Sequence, residues 1–265
     1  MLHYSVLKSD REDALNVFVC HGILGSGQNW RSFARQLQII RPDLNIILID
    51  LRCHGRSPPQ LPPHTVDACA RDLFRLSGHV GDPDVVIGHS FGGKVALALI
   101  RYLSPKQVWV LDSPPGPLSD RPEDRHEVSN VISALSSVQI PLKKRSDLKH
   151  LLVSSGYSDA IANWMTTNLK KSADGYIWRF DLQGVERLIS DYFRQDLWSL
   201  IETKQDTEIH LVIAQNSDRW SDSIVDRLNG QNSTKVHTLP RSGHWVHVDN
   251  PEGLLEMFDR FLAHD

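Results

Sequence analysis

The chain has 265 residues, and its 29 Lys and Arg against 32 Asp and Glu give a formal net charge of −3. This near-neutral balance argues against a nucleic-acid groove or an anionic membrane surface as the main partner. No run of roughly 18 apolar residues occurs, so we expect no transmembrane helix and no integral membrane association. The content of 40% hydrophobic and 23% charged residues is that of an ordinary globular protein.

The cysteines and the N-terminus indicate the compartment. The first residues lack the charged start and apolar segment of a secretory signal. The cysteines Cys20, Cys53 and Cys69 are odd in number and lack metal-ligand spacing, so we expect reduced thiols and no metal site. The sequence therefore predicts an intracellular protein, either cytoplasmic or, if a transit peptide has been removed, plastid or mitochondrial.

Short apolar runs alternate with helical patterns along the first 112 residues. The runs are rich in β-branched residues and are apolar on both faces, which is typical of parallel strands covered by helices. The predicted strands are 16–20, 45–50, 84–88 and 107–112, and the predicted helices are 30–40, 65–76 and 92–103.

The pattern changes at residue 114. From there to residue 205 only helical segments are predicted. The alternation then resumes with strands at 208–214 and 236–239 and helices at 222–228 and 252–262. The sequence therefore predicts an α/β core of residues 1–113 and 206–265 with a helical cap at 114–205. The four helices predicted for the cap are 127–137, 146–154, 158–171 and 184–201.

One motif carries chemistry. Gly88-His89-Ser90-Phe91-Gly92 matches G-x-S-x-G, and a buried strand enters it while a buried helix leaves it. This is the setting of a nucleophile elbow, a strained turn that needs small residues beside the serine. The Ser90 hydroxyl would then project above the carboxyl end of the strand. There the backbone N–H of Phe91 would point toward a developing oxyanion.

Two other interpretations of this segment exist. Gly88 to Lys94 also reads G-x-x-x-x-G-K, the start of a phosphate-binding loop, but Val95 stands where that loop needs Ser or Thr. A glycine-bearing turn without chemistry is the other alternative. The strand-turn-helix context favours the nucleophile.

A serine nucleophile needs a base, and the order on this architecture is Ser, acid, His. Of 13 histidines, His244 lies after the last strand and before the last helix. From there it can reach over the carboxyl edge of the sheet to Ser90. His247 is the local competitor, but it is closer to the helix entry, so we predict His244.

The acid has two candidates. Asp112 ends the fourth predicted strand and Asp218 follows the fifth. The generic placement for this architecture favours Asp218, which could instead pair with Arg219 or cap a helix. Asp112 could instead cap the turn before Pro114. The spacing alone leaves the acid open.

The loop after the first predicted strand supplies the other expected oxyanion donor. It begins His21-Gly22-Ile23, and the Ile23 N–H is the natural candidate. We expect His21 to fix the loop by hydrogen bonds rather than to act in catalysis.

These segments resemble the α/β-hydrolase superfamily. More narrowly, the D-L-R-x-H-G-x-S block at residues 50–57 and the G-H-S-x-G-G-K elbow are similar to abhydrolase domain-containing protein eleven and the bacterial YbfF-type esterases. Plant and algal members are similar at 108–113 and 216–220 as well. The resemblance covers the sheet core well and residues 114–205 more loosely.

The resemblance implies the α/β-hydrolase fold, a mostly parallel sheet flanked by helices with a helical cap, and an esterase or thioesterase acting on acyl substrates. It also implies Asp112 as the acid, because bacterial relatives have no aspartate that matches Asp218. Cys53 stands where relatives usually have Asn, which leaves the hydrogen bonding of that loop open.

The resulting hypothesis is a serine hydrolase with Ser90, His244 and Asp112 as its triad and no metal or organic cofactor. Its partner would be a small acyl ester or thioester in an apolar pocket shaped by cap aromatics. One alternative is a lyase, since residues 21–26 resemble menaquinone-pathway synthases, which use the serine as a base. The other is a non-catalytic receptor on the same fold. The large apolar residues of the cap are Met165 and the aromatic residues Trp164, Trp178, Phe180, Tyr192, Phe193 and Trp198.

Overall fold

The computed structural model describes residues 1–118, 127–203, 206–231 and 234–264. The strands in these ranges are β1 (Tyr4–Leu7), β2 (Leu15–Cys20), β3 (Leu44–Ile49), β4 (Val85–His89), β5 (Gln107–Leu111), β6 (Leu169–Ser172), β7 (Gly175–Trp178), β8 (Glu208–Ala214) and β9 (Thr234–Leu239). All but β6 and β7 form one sheet in the order β1-β3-β2-β4-β5-β8-β9. Every neighbouring pair in that sheet is parallel except β1 with β3.

Helices cover both faces of the sheet. They are α1 (Arg31–Ile40), α2 (Val66–Val80), α3 (Phe91–Leu99), α4 (Glu127–Ser136), α5 (Arg145–Ser154), α6 (Asp159–Thr167), α7 (Leu182–Arg194), α8 (Trp198–Glu202), α9 (Asp222–Asn229), α10 (Val246–Asp249) and α11 (Pro251–Phe261). The predicted α/β-hydrolase arrangement of a mostly parallel sheet between helices is confirmed.

Both faces of the central strands are buried, as their continuous apolar runs require. Phe18 of β2 packs in the cluster that contains α2, α3 and the helices between β5 and β8. Its neighbour Val19 points to the opposite face and packs with α1 and α11. The second face holds the fully buried Trp109 against Phe258, with ring centroids 4.9 Å apart.

The expectation of helices alone between 114 and 205 is wrong at one place. The predicted helix 158–171 ends at Thr167, and β6 and β7 form an antiparallel hairpin. Gly175 follows the turn with φ +141°, a conformation that side chains rarely adopt, and a Cβ there would lie 2.3 Å from the Leu142 carbonyl oxygen. The predicted helix 184–201 is likewise divided, because Gln195 is extended at the end of α7.

Strand β1 was not predicted. It is a four-residue edge strand of half-buried and exposed residues, so it carries no continuous apolar run. Its pairing with β3 places Tyr4 opposite Ile49.

The segment between β5 and β8, which was predicted as residues 114–205, is called the insertion below. Lys94 attaches it to the core. Of this segment, 119–126 and the predicted boundary at 204–205 lie outside the described residues. The fully buried Lys94 donates to the carbonyl oxygens of Gly116, Tyr192 and Gln195 at 2.7, 2.8 and 3.0 Å. Its ammonium group therefore holds backbone of the insertion instead of facing a phosphate site.

Two expectations concern cysteines and membranes. Cys20, Cys53 and Cys69 are all buried and form no disulfide. Within the described ranges, no helix combines the length and the apolar character needed to cross a bilayer.

Candidate active site

Ser90 lies on a sharp turn between β4 and α3. Its φ of +53° and ψ of −119° are unusual for a residue with a side chain, and such strain costs about 1–3 kcal/mol. The turn needs glycine on both sides, because a Cβ on Gly88 would lie 2.0 Å from the Gly92 carbonyl oxygen and one on Gly92 would lie 2.5 Å from the Cys20 carbonyl oxygen. The segment thus has the geometry of a nucleophile elbow.

His244 and Asp112 continue from Ser90 in one hydrogen-bonded chain. His244 Nε2 lies 3.0 Å from Ser90 Oγ, and its Nδ1 lies 2.7 Å from Asp112 Oδ2. A carboxylate only accepts, so Nδ1 carries the proton and Nε2 is free to accept from the serine. The three residues follow β4, β5 and β9, whose carboxyl ends meet at one edge of the parallel sheet.

Asp112 is fully buried, and four donors surround its carboxylate. Besides His244, the Ser217 hydroxyl donates to Oδ2 at 2.8 Å. The Trp220 indole N–H donates to Oδ1 at 2.7 Å, and the Ala214 N–H does so at 3.2 Å. The carboxylate is therefore fixed in one orientation toward His244.

The two competing candidates lie elsewhere. Asp218 is exposed at the rim of the cavity next to Ser90 and does not contact His244. His247 stacks on the buried Trp30, with ring centroids 4.1 Å apart. The structure thus brings Asp112 and His244 to Ser90, and not Asp218 or His247.

The two predicted oxyanion donors both belong to segments beside Ser90. Phe91 is the first residue of α3, where N–H groups have no acceptor within the helix. In the loop after β2, the Leu24 N–H donates to His54 Nε2 and the Gly25 N–H to the Gly22 carbonyl, both at 3.0 Å. Ile23 lines the cavity, which keeps its N–H a candidate donor.

The D-L-R-x-H-G-x-S block, residues 50–57, holds the loop after β2 in place. His21 Nε2 accepts from the Leu51 N–H at 3.0 Å, so His21 does fix the loop as expected. Asp50 Oδ1 accepts from the Gly27 N–H at 2.8 Å. Burial lowers the pKa of His54 to about 3, with a further contribution from His21, so its ring is neutral. Its Nδ1–H donates to the Arg52 carbonyl oxygen at 2.9 Å, which leaves Nε2 to accept from the Leu24 N–H.

Burial also sets the state of the histidines around the serine. It lowers the pKa of His244, and the nearby Arg219 cation adds to this effect, while the hydrogen bond to Asp112 opposes it. Burial lowers the pKa of His89 well below its ordinary value. His89 Nε2 lies 2.7 Å from the His244 carbonyl oxygen, so its N–H donates there and supports the histidine loop.

A cavity of about 620 Å³ opens above Ser90. The core contributes Ser90, His244, Ile23 and the loop after β8, and the insertion contributes most of the apolar wall. Of the aromatic residues expected to shape it, Trp164 and Tyr192 do so, whereas Trp178 and Phe180 stack on each other beside another cavity. The wall from the insertion comprises Pro117, Leu118, Val128, Val131, Ile161, Trp164, Ile189 and Tyr192.

One group of side chains away from Ser90 could hold a metal ion. Ligand atoms of Cys53, His64 and Asp181 all lie within 4.8 Å of one another, with Cys53 Sγ 3.4 Å from His64 Nδ1. None of these residues was predicted as a metal ligand, because the cysteines lack metal-ligand spacing. Burial raises the pKa of the Cys53 thiol to about 12, so the thiol stays protonated unless a cation binds.

A model of the alpha/beta hydrolase family matches residues 17–257. The chain belongs to this family. This α/β-hydrolase is 30% identical over 278 residues to the sn-1-specific diacylglycerol lipase ABHD11 of Mus musculus, covering 99% of this chain and 85% of the mouse protein. It is 29% identical over 250 residues to the esterase YbfF of Escherichia coli K12, covering 93% and 92% of the two chains.

A solved structure also resembles this α/β-hydrolase. An esterase from a marine microorganism superposes with a TM-score of 0.84 at 25% identity, over 98% of this chain and 99% of the other. The predicted family is therefore confirmed, and the names of these relatives confirm the predicted enzyme class, the carboxylic ester hydrolases.

Three residues that the sequence did not indicate support Asp112 and His244. Ser217 and Trp220 hold Asp112, and His89 supports the backbone of His244. Ser217 and Trp220 lie in the same loop as Asp218, the other candidate for the acid. The sequence showed a polar loop at the end of β8. Which side chains of this loop face Asp112 is seen only in the fold.

Proposed function

We propose that this chain hydrolyses carboxylic esters of acyl substrates, and thioesters by the same chemistry, through an acyl-serine intermediate. The observation that carries the proposal is the hydrogen-bonded chain from Ser90 through His244 to Asp112 beside an apolar cavity. Hydrolysis of ester bonds also agrees with the names of the relatives, a diacylglycerol lipase and two esterases.

In the acylation step, the Ser90 oxygen attacks the acyl carbon while His244 Nε2 takes the hydroxyl proton. Asp112 holds the required tautomer and stabilises the imidazolium that forms. The carbonyl oxygen becomes negative, and the N–H groups of Phe91 and Ile23 stabilise it. The bond to the leaving group then breaks, and His244 protonates the leaving alcohol or thiol.

In the deacylation step, a water molecule replaces the leaving group. His244 Nε2 takes a proton from this water, whose oxygen attacks the acyl carbon. The bond to Ser90 breaks, the acid departs and the serine recovers its proton from His244. Besides the substrate and this water, the scheme uses only groups of the chain itself.

We propose further that the insertion acts as a cap over the acyl group. Its apolar wall faces Ser90 from α4, α6 and α7, which suits a hydrocarbon chain and excludes water from the reacting bond. The basic runs at 143–145 and 170–171 do not line this cavity. Arg145 donates to the carbonyl oxygens of Thr166 and Leu169 at 2.7 and 2.8 Å, a structural role.

The test is hydrolysis of p-nitrophenyl esters from acetyl to palmitoyl by the wild type and by Ser90→Ala. We expect turnover by the wild type, and a loss of at least about a thousandfold in the variant. A fluorophosphonate should label the wild type at Ser90 and leave the variant unlabelled. Equal turnover by both proteins would refute the nucleophile. A folded wild type that neither turns over nor reacts would favour the lyase or the receptor.

A further inference from the structure

Arg219 is a cation in the wall of the Ser90 cavity. Within the described part of the chain it forms no ion pair, although the exposed Asp218 is its neighbour in sequence. Its Nε atom is buried and has no hydrogen-bond partner among the described residues. The guanidinium group therefore has unused donors next to the site of reaction.

The position of Arg219 is determined by the triad acid. Ser217 and Trp220, on either side of it, both donate to the Asp112 carboxylate, at 2.8 and 2.7 Å. The Arg219 N–H contacts the Ser217 hydroxyl oxygen at 3.4 Å. These hydrogen bonds fix the loop after β8, so the backbone that carries the Arg219 side chain is held in place.

A free cation at this place is unfavourable in two ways. Its charge disfavours the imidazolium form of His244, which the mechanism requires. A buried N–H without an acceptor is also unfavourable for the folded state. An anion bound to the guanidinium would remove both effects, because it would supply the acceptor and cancel the charge that faces His244.

We infer that Arg219 binds a carboxylate of the substrate, so that the preferred substrates are esters that carry a negative charge. This inference rests on the proposed function, since the charge is recognised beside the bond that Ser90 attacks. A guanidinium binds a carboxylate through two parallel N–H donors, which a neutral ester cannot match. Asp218 opposes the effect from the rim of the cavity.

The first experiment compares two substrates that differ in the charged group. Mono-p-nitrophenyl adipate carries a carboxylate at the end of the acyl chain, and p-nitrophenyl hexanoate is its neutral counterpart. The wild type should have the higher kcat/KM for the adipate ester. In Arg219→Gln the adipate-to-hexanoate ratio should fall about tenfold to hundredfold, and in Asp218→Asn it should rise.

Two matched variants control this result. Arg219→Lys keeps the charge without the paired donors and should fall between the wild type and the glutamine variant. Arg35→Gln removes an exposed arginine of α1, on the far side of the sheet, and should keep the wild-type ratio. A second pair of esters, the butyrates of 4-hydroxybenzoate and 4-hydroxybenzamide, places the carboxylate on the leaving group instead. The pair whose ratio responds to Arg219→Gln shows which end of the substrate carries the charge.

A binding measurement separates this inference from the proposed function. In the Ser90→Ala background, calorimetry should show that monomethyl adipate binds at least tenfold more tightly than methyl hexanoate, and that Arg219→Gln removes the difference. This readout needs no turnover, so it holds even if the serine is not a nucleophile. Equal ratios in the wild type and Arg219→Gln for both ester pairs, with equal binding of the two ligands, would overturn the inference.

Discussion

Replacement of Asp112 by Asn tests the triad most sharply. The carboxylate accepts from His244 Nδ1 at 2.7 Å and from three further donors, so the amide must place its NH₂ group against at least one N–H or O–H that now donates. If the NH₂ faces His244, the ring takes the other tautomer and Nε2 can no longer accept from Ser90.

The magnitude follows from that geometry. An amide in place of the triad carboxylate lowers kcat about 10⁴-fold in serine proteases, which corresponds to about 5.4 kcal/mol of transition-state stabilisation. The misplaced donor in a fully buried site also lowers the free energy of unfolding by about 1–3 kcal/mol. A chain of this size then loses about 2–4 °C in Tm for each kcal/mol.

The assay is kcat/KM for p-nitrophenyl butyrate together with Tm from calorimetry. Asp218→Asn is the matched control, because Asp218 is the neighbouring exposed aspartate and does not contact His244. We expect Asp112→Asn to lose about four orders of magnitude and the control to stay within tenfold of the wild type. The opposite pattern, with the loss in Asp218→Asn alone, would refute the assignment of the acid.

Two further predictions concern pH and the attachment of the insertion. His244 must be neutral to act as the base, and burial and Arg219 lower its pKa below the ordinary 6.5, against the effects of Asp112 and Asp218. The kcat/KM for a neutral ester should therefore stay constant near neutral pH and fall only on acidification below pH 6.5. The measurement is kcat/KM from about pH 4 to 8, and an acidic fall with its midpoint above pH 6.5 would contradict this reasoning. Lys94→Met leaves the carbonyl oxygens of Gly116, Tyr192 and Gln195 without their donor. It should lower the free energy of unfolding in urea by about 2–4 kcal/mol, whereas the exposed control Lys8→Met should change it by less than about 0.5 kcal/mol.

The layers of the fold and the position of the proposed nucleophile can be predicted from local sequence patterns. Strands such as β4 and β5 are apolar on both faces, and this pattern has few solutions other than a parallel sheet between helices. Gly88 and Gly92 mark the elbow, because only residues without a Cβ fit against the neighbouring backbone there. Local sequence also placed His244 on the loop between the last strand and the last helix.

Which distant groups meet in the site depends on tertiary packing. Asp112 and Asp218 both follow strand ends, but the fold buries the first against His244 and leaves the second exposed. The hairpin of β6 and β7 pairs with Leu142 through the backbone of Tyr176, more than 30 positions away in the chain. Arg219 becomes a charge in the wall of the Ser90 cavity because Ser217 and Trp220 fold onto Asp112, across about a hundred residues of chain. Such contacts arise from packing over long sequence separations, which local patterns of hydrophobicity and glycine do not record.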